Sequence, residues 1–249
     1  MRTQRQETHR GNRLLAAISP ADLTLLRPHL EVAECEHGTV LVDAGKRITH
    51  VLFPHSAVIC LMAVMPKSGT AEVATIGPEG MAGFEALLGN KTATTRTLVQ
   101  VPGRASRIEV RILSKAMKER APLRSLLMRY IRAFMVQVTQ SVACNGLHKL
   151  EERCCRWLLM AHDRARRDTF PMTQEFFADM LGVHRPALTV VASSLRDRGL
   201  IRYTRGVLTI VDRSGLERAS CECYGIVKRA YAQIISRPSL KRSTSRATA

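Results

Sequence analysis

The chain has 249 residues, 45% of them apolar and 24% charged, a size and composition that fit two soluble globular domains. The 38 Lys and Arg against 21 Asp and Glu leave a net charge of +17. Membrane spans and disulfide scaffolds are disfavoured: no apolar run approaches the ~20 residues a span needs, and seven cysteines at uneven spacing fit a reducing cytoplasm. The basic start, MRTQRQETHRGNR, lacks the apolar stretch of a secretory signal.

The charge is unevenly placed. Residues 21–110 hold 8 basic and 9 acidic side chains, whereas residues 111–249 hold 26 and 11. A basic second half predicts a polyanionic partner, with a merely solvated surface as the alternative.

In chain order, a basic arm (1–18) precedes a short helix over Pro20–Leu30, with Leu23, Leu26 and Leu30 on one face. Short strands rich in Val, Ile, Leu and Thr follow: Thr39–Val42, Thr49–Phe53, Ala57–Val64, Ala71–Ile76, Arg96–Val101 and Ser106–Val110, divided by Gly and Pro turns. Such spacing predicts a roll, sandwich or barrel over 19–118 rather than alternating βαβ units. After Pro122 the period becomes helical. Leu123, Leu127, Tyr130, Phe134 and Val138 form a near-heptad stripe, which fits either a helix packed on its own domain or, as favoured for so narrow a stripe, a two-helix seam over 119–145, with Gln137 off the stripe and Asn145-Gly146 breaking the helix as a hinge. A helix over Glu151–Ala165 follows, with Trp157, Leu158 and Ala161 inward and Arg164 trailing.

Residues 172–201 read MTQEFFADMLGVHRPALTVVASSLRDRGLI. Thr173 is placed as an N-cap for a helix turning Phe177, Ala178 and Leu181 inward. Gly182 permits a tight turn, and Pro186 suits the first turn of a second helix, buried through Leu188, Val191 and Leu195. Two helices joined by a Gly-containing turn form a helix-turn-helix, whose second helix can enter the major groove. Leu200–Tyr203 and Val207–Val211, joined at Thr204–Gly206, add a two-stranded wing. A basic, winged helix-turn-helix over 146–215 predicts double-stranded DNA as partner, with a C-terminal helix and basic tail over 216–249.

At these residues, and at IGPEGMAGFEALLG with RTLVQV, the chain resembles the Crp/Fnr family of bacterial transcription regulators over nearly its whole length. The resemblance implies an α+β protein: an N-terminal jelly-roll-like β-roll of the cyclic-nucleotide-binding type, a long dimerisation helix and a C-terminal winged helix-turn-helix. It implies a cytoplasmic homodimer on a palindromic site, regulating transcription under a signal at the β-roll, and contact with RNA polymerase if the protein activates. The rival is a sensor or interaction module with only non-specific nucleic-acid binding.

Arg185 occupies the family's base-reading arginine position, and a guanidinium can bond guanine O6 and N7 together. Thr173, Gln174, His184, Ala187, Thr189, Ser193 and the wing residue Arg205 complete the expected DNA-binding set. Pro186, Val190 and His184 depart from the family's best-studied Glu, Arg and Ser, so operator preference does not carry over. In the roll, Gly83, Phe84, Arg96 and Thr97 are the expected effector pocket. Arg96-Thr97 matches the family's phosphate-binding pair, but Phe84 replaces the ribose-binding Glu. A phenyl ring cannot accept the ribose hydroxyl bond, which argues against cAMP and for an internal ion pair of Arg96.

No iron–sulfur cluster is expected, since Cys35 is alone in the first 50 residues. Cys154-Cys155 point apart on a helix. Cys221 and Cys223, expected together on the C-terminal helix, do not converge on one ion there, so no metal is predicted and their role stays open. Without a P-loop or a catalytic His or Ser constellation, no enzyme is predicted.

Overall fold

The computed structural model describes residues 8–67 and 69–235. Arg237, Lys241, Arg242 and Arg246 of the basic tail lie outside them. Short helices α1 (Arg13–Ala16) and α2 (Pro20–Leu26) lead in. Ser19 caps α2 by accepting from Asp22 N. Helix α2 is shorter than expected because Pro28 has no N–H with which to continue the helical ladder; Arg27–His29 form a 3-10 turn instead.

The strands are β1 (Glu31–Cys35), β2 (Val40–Val42), β3 (His50–Pro54), β4 (Val58–Met65), β5 (Gly69–Ile76), β6 (Arg96–Val101) and β7 (Gly103–Glu109). They form two antiparallel sheets, β1-β7-β3 and β2-β6-β4-β5. Strand β1 escaped the sequence reading because EVAEC is acidic and mostly exposed. Register and charge hold it: Glu31 lies opposite Arg107, and the Arg107 guanidinium donates to its carboxylate at 2.8 Å. Between the sheets lie Val51, Phe53, Val58, Ile59, Ile76 and Ile108, all essentially inaccessible.

Helix α3 (Val110–Glu119) leads into α4 (Ala121–Leu147), and α5 (Leu150–Ala165) follows after two residues. Asn145 and Gly146 do not break α4: it runs on to Leu147, and His148 N still donates to Cys144 O at 3.1 Å. A poor helix former costs up to about 1 kcal/mol, which tertiary contacts in the last turn can outweigh.

The expected seam on α4 is also corrected. Leu123, Leu127, Tyr130 and Phe134 are buried by their own chain. Phe84 rests its ring edge-on against Tyr130 and Phe134, at 5.8 and 4.7 Å, and the Tyr130 hydroxyl donates to Met81 O at 2.8 Å. A heptad-like stripe identifies a buried face but not what buries it. Gln137, expected off the core, is fully buried and donates to Thr75 O at 3.0 Å. The exposed large apolar residues on α4 are instead Met128, Met135 and Val142, spaced by seven, with Leu147 at the helix end.

The C-terminal part holds β8 (Thr169–Pro171), α6 (Gln174–Leu181), α7 (Arg185–Asp197), β9 (Ile201–Thr204), β10 (Val207–Ile210), α8 (Arg213–Ala219) and α9 (Cys223–Ile235). Arg164 does not trail into solvent. It is buried on α5 and joins four parts of the chain: its Nε donates to Glu79 Oε1 at 2.7 Å, one terminal nitrogen to Gln137 Oε1 at 2.8 Å and the other to Met160 O at 3.1 Å. The Tyr231 hydroxyl of α9 donates to the same Gln137 oxygen at 2.9 Å. This hub couples the Gly77–Gly80 turn of the roll to α4, α5 and α9.

Candidate nucleic-acid interface

The interface is built on α6 and α7. Thr173 accepts from Phe176 N and caps α6. Gly182 then adopts a left-handed φ of 62°, which glycine accepts without a Cβ penalty. Phe177, Ala178 and Leu181 turn inward with Leu188 and Leu195 of α7. Trp157 of α5 closes this core, its ring 4.9 Å from that of Phe177, and its Nε1 donates to Glu72 at 3.1 Å.

Burying that face sets the opposite one outward. His184, Arg185, Pro186, Ala187 and Val190 are exposed along the start of α7. His184 makes no side-chain capping hydrogen bond; Pro186 carries no N–H, and Ala187 N and Leu188 N donate to His184 O at 3.0 and 3.3 Å. Arg185 pairs with no carboxylate among the described residues. The Thr189 hydroxyl donates to Arg185 O at 3.0 Å and lies 3.3 Å from Gln174 Oε1, joining the two helices of the motif. Ser193 is half-buried one turn further along.

The wing has three strands rather than two, in the order β8-β10-β9, because residues 169–171 pair with 207–209. Arg205 and Gly206 both have positive φ, 47° and 76°, as a two-residue type I′ hairpin requires. Arg205 therefore stands at the wing tip, exposed. The Tyr203 hydroxyl donates to Met172 O at 2.6 Å and ties the wing to the approach to α6. The structure thus brings Thr173, Gln174, His184, Arg185, Ala187, Thr189 and Ser193 to one helical pair, with Arg205 on the adjoining wing. Val190, 71% exposed, was missing from the expected set; an apolar residue three positions before Ser193 on an amphipathic helix was the available signal.

Only two of the four expected effector residues share a cavity. Gly83 and Thr97 line a cavity of about 160 Å³, below the ~300 Å³ of ordinary small-molecule sites. Phe84 points into the core against α4. Arg96 makes a two-pronged ion pair with Asp43, at 2.9 and 3.1 Å, whose hydrogen bonds hold the Asp43 carboxyl below its usual range.

The cysteines also depart from expectation. Cys221 precedes α9 and Cys223 begins it, so they are not on one helix. Both meet Cys144 and His148 at the end of α4.

Residues 152–219 match the family model of the Crp-like helix-turn-helix domain. A comparison with curated proteins finds no matching sequence. Solved structures share the fold. A Crp/Fnr-family regulator from Eubacterium rectale superposes with TM-score 0.67 at 18% identity, over 84% of this chain and 98% of its own. A CRP-family transcriptional regulator from Thermus thermophilus gives 0.63 at 19%, over 76% and 96%. The c-di-GMP-responsive global regulator CLP of Xanthomonas campestris gives 0.61 at 13%, over 78% and 100%.

Proposed function

We propose that this chain, a Crp-like helix-turn-helix domain carried on the fold of the Crp/Fnr transcriptional regulators, is a homodimeric, sequence-specific DNA-binding regulator. The observation that carries the reading is Arg185: a guanidinium without a carboxylate partner among the described residues, exposed at the N-terminus of α7, beside a wing tipped by Arg205. Two such helices one DNA turn apart, about 34 Å, meet successive major grooves of a palindrome. Arg185 reads guanine there, Thr173, Gln174 and Arg205 take phosphates, and Val190 offers its methyls to thymine. Met128, Met135 and Val142 are the seam between the two copies of α4.

The roll is the place where a signal would act, and the hub at Arg164 is the route by which it would reach α5. A signal shifts the readers only if it binds the two arrangements unequally. The small cavity and the Arg96–Asp43 pair speak against a cyclic nucleotide in the position the family resemblance implied. Contact with RNA polymerase follows if the protein activates transcription.

Replacing the two arginines separately tests the assignment. Arg185→Ala costs about 1–3 kcal/mol on the preferred site, roughly 5- to 150-fold in affinity, with little change on random duplex. Arg205→Ala weakens both alike and flattens the salt dependence. Equal losses on both duplexes for Arg185→Ala would favour the rival, a module that binds nucleic acid without preference.

A further inference from the structure

Where α4 ends and α9 begins, four side chains that no part of the DNA interface uses come together. Cys144 lies on the last turn of α4, and His148, four residues on, is the residue that ends it, its N–H still donating to Cys144 O at 3.1 Å. Cys221 lies in the short link after α8, and Cys223 is the first residue of α9. One potential ligand atom from each falls within 4.8 Å of all the others. Cys144 Sγ lies 3.5 Å from Cys221 Sγ, and Cys223 Sγ lies 3.7 Å from His148 Nδ1.

The 3.5 and 3.7 Å separations lie close to the edges of a tetrahedron around zinc. A Zn–S bond of about 2.3 Å and a Zn–N bond of about 2.0–2.1 Å place neighbouring ligand atoms roughly 3.5–3.8 Å apart. A disulfide needs its sulfurs at about 2.05 Å, so Cys144 and Cys221 are not bonded. The outer ring nitrogen of the histidine is also accounted for: His148 Nε2 lies 3.3 Å from Glu222 Oε1, the carboxylate–histidine arrangement that orients a metal-binding imidazole. The three cysteines form a small buried cluster of their own, apart from the main core. The other four, Cys35, Cys60, Cys154 and Cys155, lie buried elsewhere and do not join it.

We propose that Cys144, His148, Cys221 and Cys223 form a closed, structural zinc site. Three sulfurs and an imidazole suit a borderline-soft divalent ion, and four protein ligands leave no open position for a substrate. Binding requires each ligating thiol to release its proton to solvent. The ion would clamp the start of α9 to the end of α4, two residues before α5 begins. It would therefore hold firm the joint between the roll's long helix and the DNA-binding part, and explain why Asn145-Gly146 stays helical. The inference stands independently of DNA recognition.

The full-length protein, purified without added zinc or chelator, is analysed for metals by plasma mass spectrometry. About one zinc ion per chain is expected, falling to background in Cys144→Ser and Cys223→Ser and retained in Cys35→Ala. Because a serine variant can fail to fold, the wild-type protein is also stripped by chelation and titrated with cobalt(II). The expected spectrum has tetrahedral ligand-field bands and thiolate-to-cobalt charge transfer, saturating at one equivalent, and the stripped protein melts at a lower temperature. Wild-type protein that holds no zinc and gives no thiolate–cobalt spectrum would overturn the proposal. So would a Cys144–Cys221 disulfide in the protein as purified, or full zinc occupancy in the serine variants.

Discussion

Removing the carboxylate of Glu79 tests whether the roll and the DNA-binding part are coupled through the buried hub. Glu79 is 6% exposed and Arg164 4%, so the pair itself is largely shielded from water. In Glu79→Ala the guanidinium keeps its bonds to Gln137 and Met160 O but stays charged and buried. Breaking a buried pair from one side costs about 3–5 kcal/mol; the partly exposed Arg13, 3.8 Å from Glu79 Oε2, loses little. For a chain of this size the loss lowers the melting temperature by roughly 10 °C. Glu79→Gln preserves shape and costs less, about 1.5–3 kcal/mol. The double variant Glu79→Leu/Arg164→Met removes both charges and recovers most of the loss. Urea unfolding followed by the fluorescence of Trp157, the single tryptophan, reads all three. Glu79→Ala within 1 kcal/mol of wild type, or a double variant no more stable than Glu79→Ala, would refute the reasoning.

Three further outcomes follow from particular residues. Burial pushes the Glu72 carboxyl up to about 7, against the opposing hydrogen bond from Trp157. The folded state therefore keeps a proton that the unfolded state releases near 4.5, and stability declines as pH rises between the two values. Allowing for its partial exposure, Glu72→Gln gains about 2 kcal/mol over wild type at pH 8 and nearly nothing at pH 4; denaturant midpoints showing the same gain at both would contradict this. Met135→Glu places a charge in the middle of the exposed α4 stripe and shifts the protein to monomer in sedimentation, while Leu127→Ala, in the intrachain core, costs about 2–5 kcal/mol in stability. Val190→Asn relaxes preference for thymine at one position of a selected site, read by competition with substituted duplexes.

The readable parts of this chain were those with a strong local signal. Residues 172–211 declared their helices, turn and wing through Thr173, Gly182, Pro186 and Arg205-Gly206, because caps and turns depend on near neighbours. The strands from β2 to β7 were visible for the same reason. What escaped depended on distant partners. EVAEC reads as a loop until Arg107 lies across from Glu31. The stripe at Leu123–Val138 was seen, but nothing local says that Phe84 covers it. Arg164 and Gln137 look like surface residues until Glu79, 85 positions from the arginine, is brought beside them. The cysteine cluster spans 77 positions between Cys144 and Cys221, and the break before α9 that lets Cys221 and Cys223 converge carries no Gly or Pro to announce it.

The central claim is that two exposed copies of α7 read sequence. Duplexes are selected from random DNA by the full-length protein, and the best site is then titrated against a scrambled duplex at about 0.15 M salt, near physiological ionic strength. The account predicts a palindrome with half-sites one helical turn apart, bound roughly 10³-fold or more tighter than the scrambled duplex. Arg185→Ala should cut that preference by roughly 5- to 150-fold. Enrichment of no site, or equal affinity for both duplexes at every salt concentration, would contradict it.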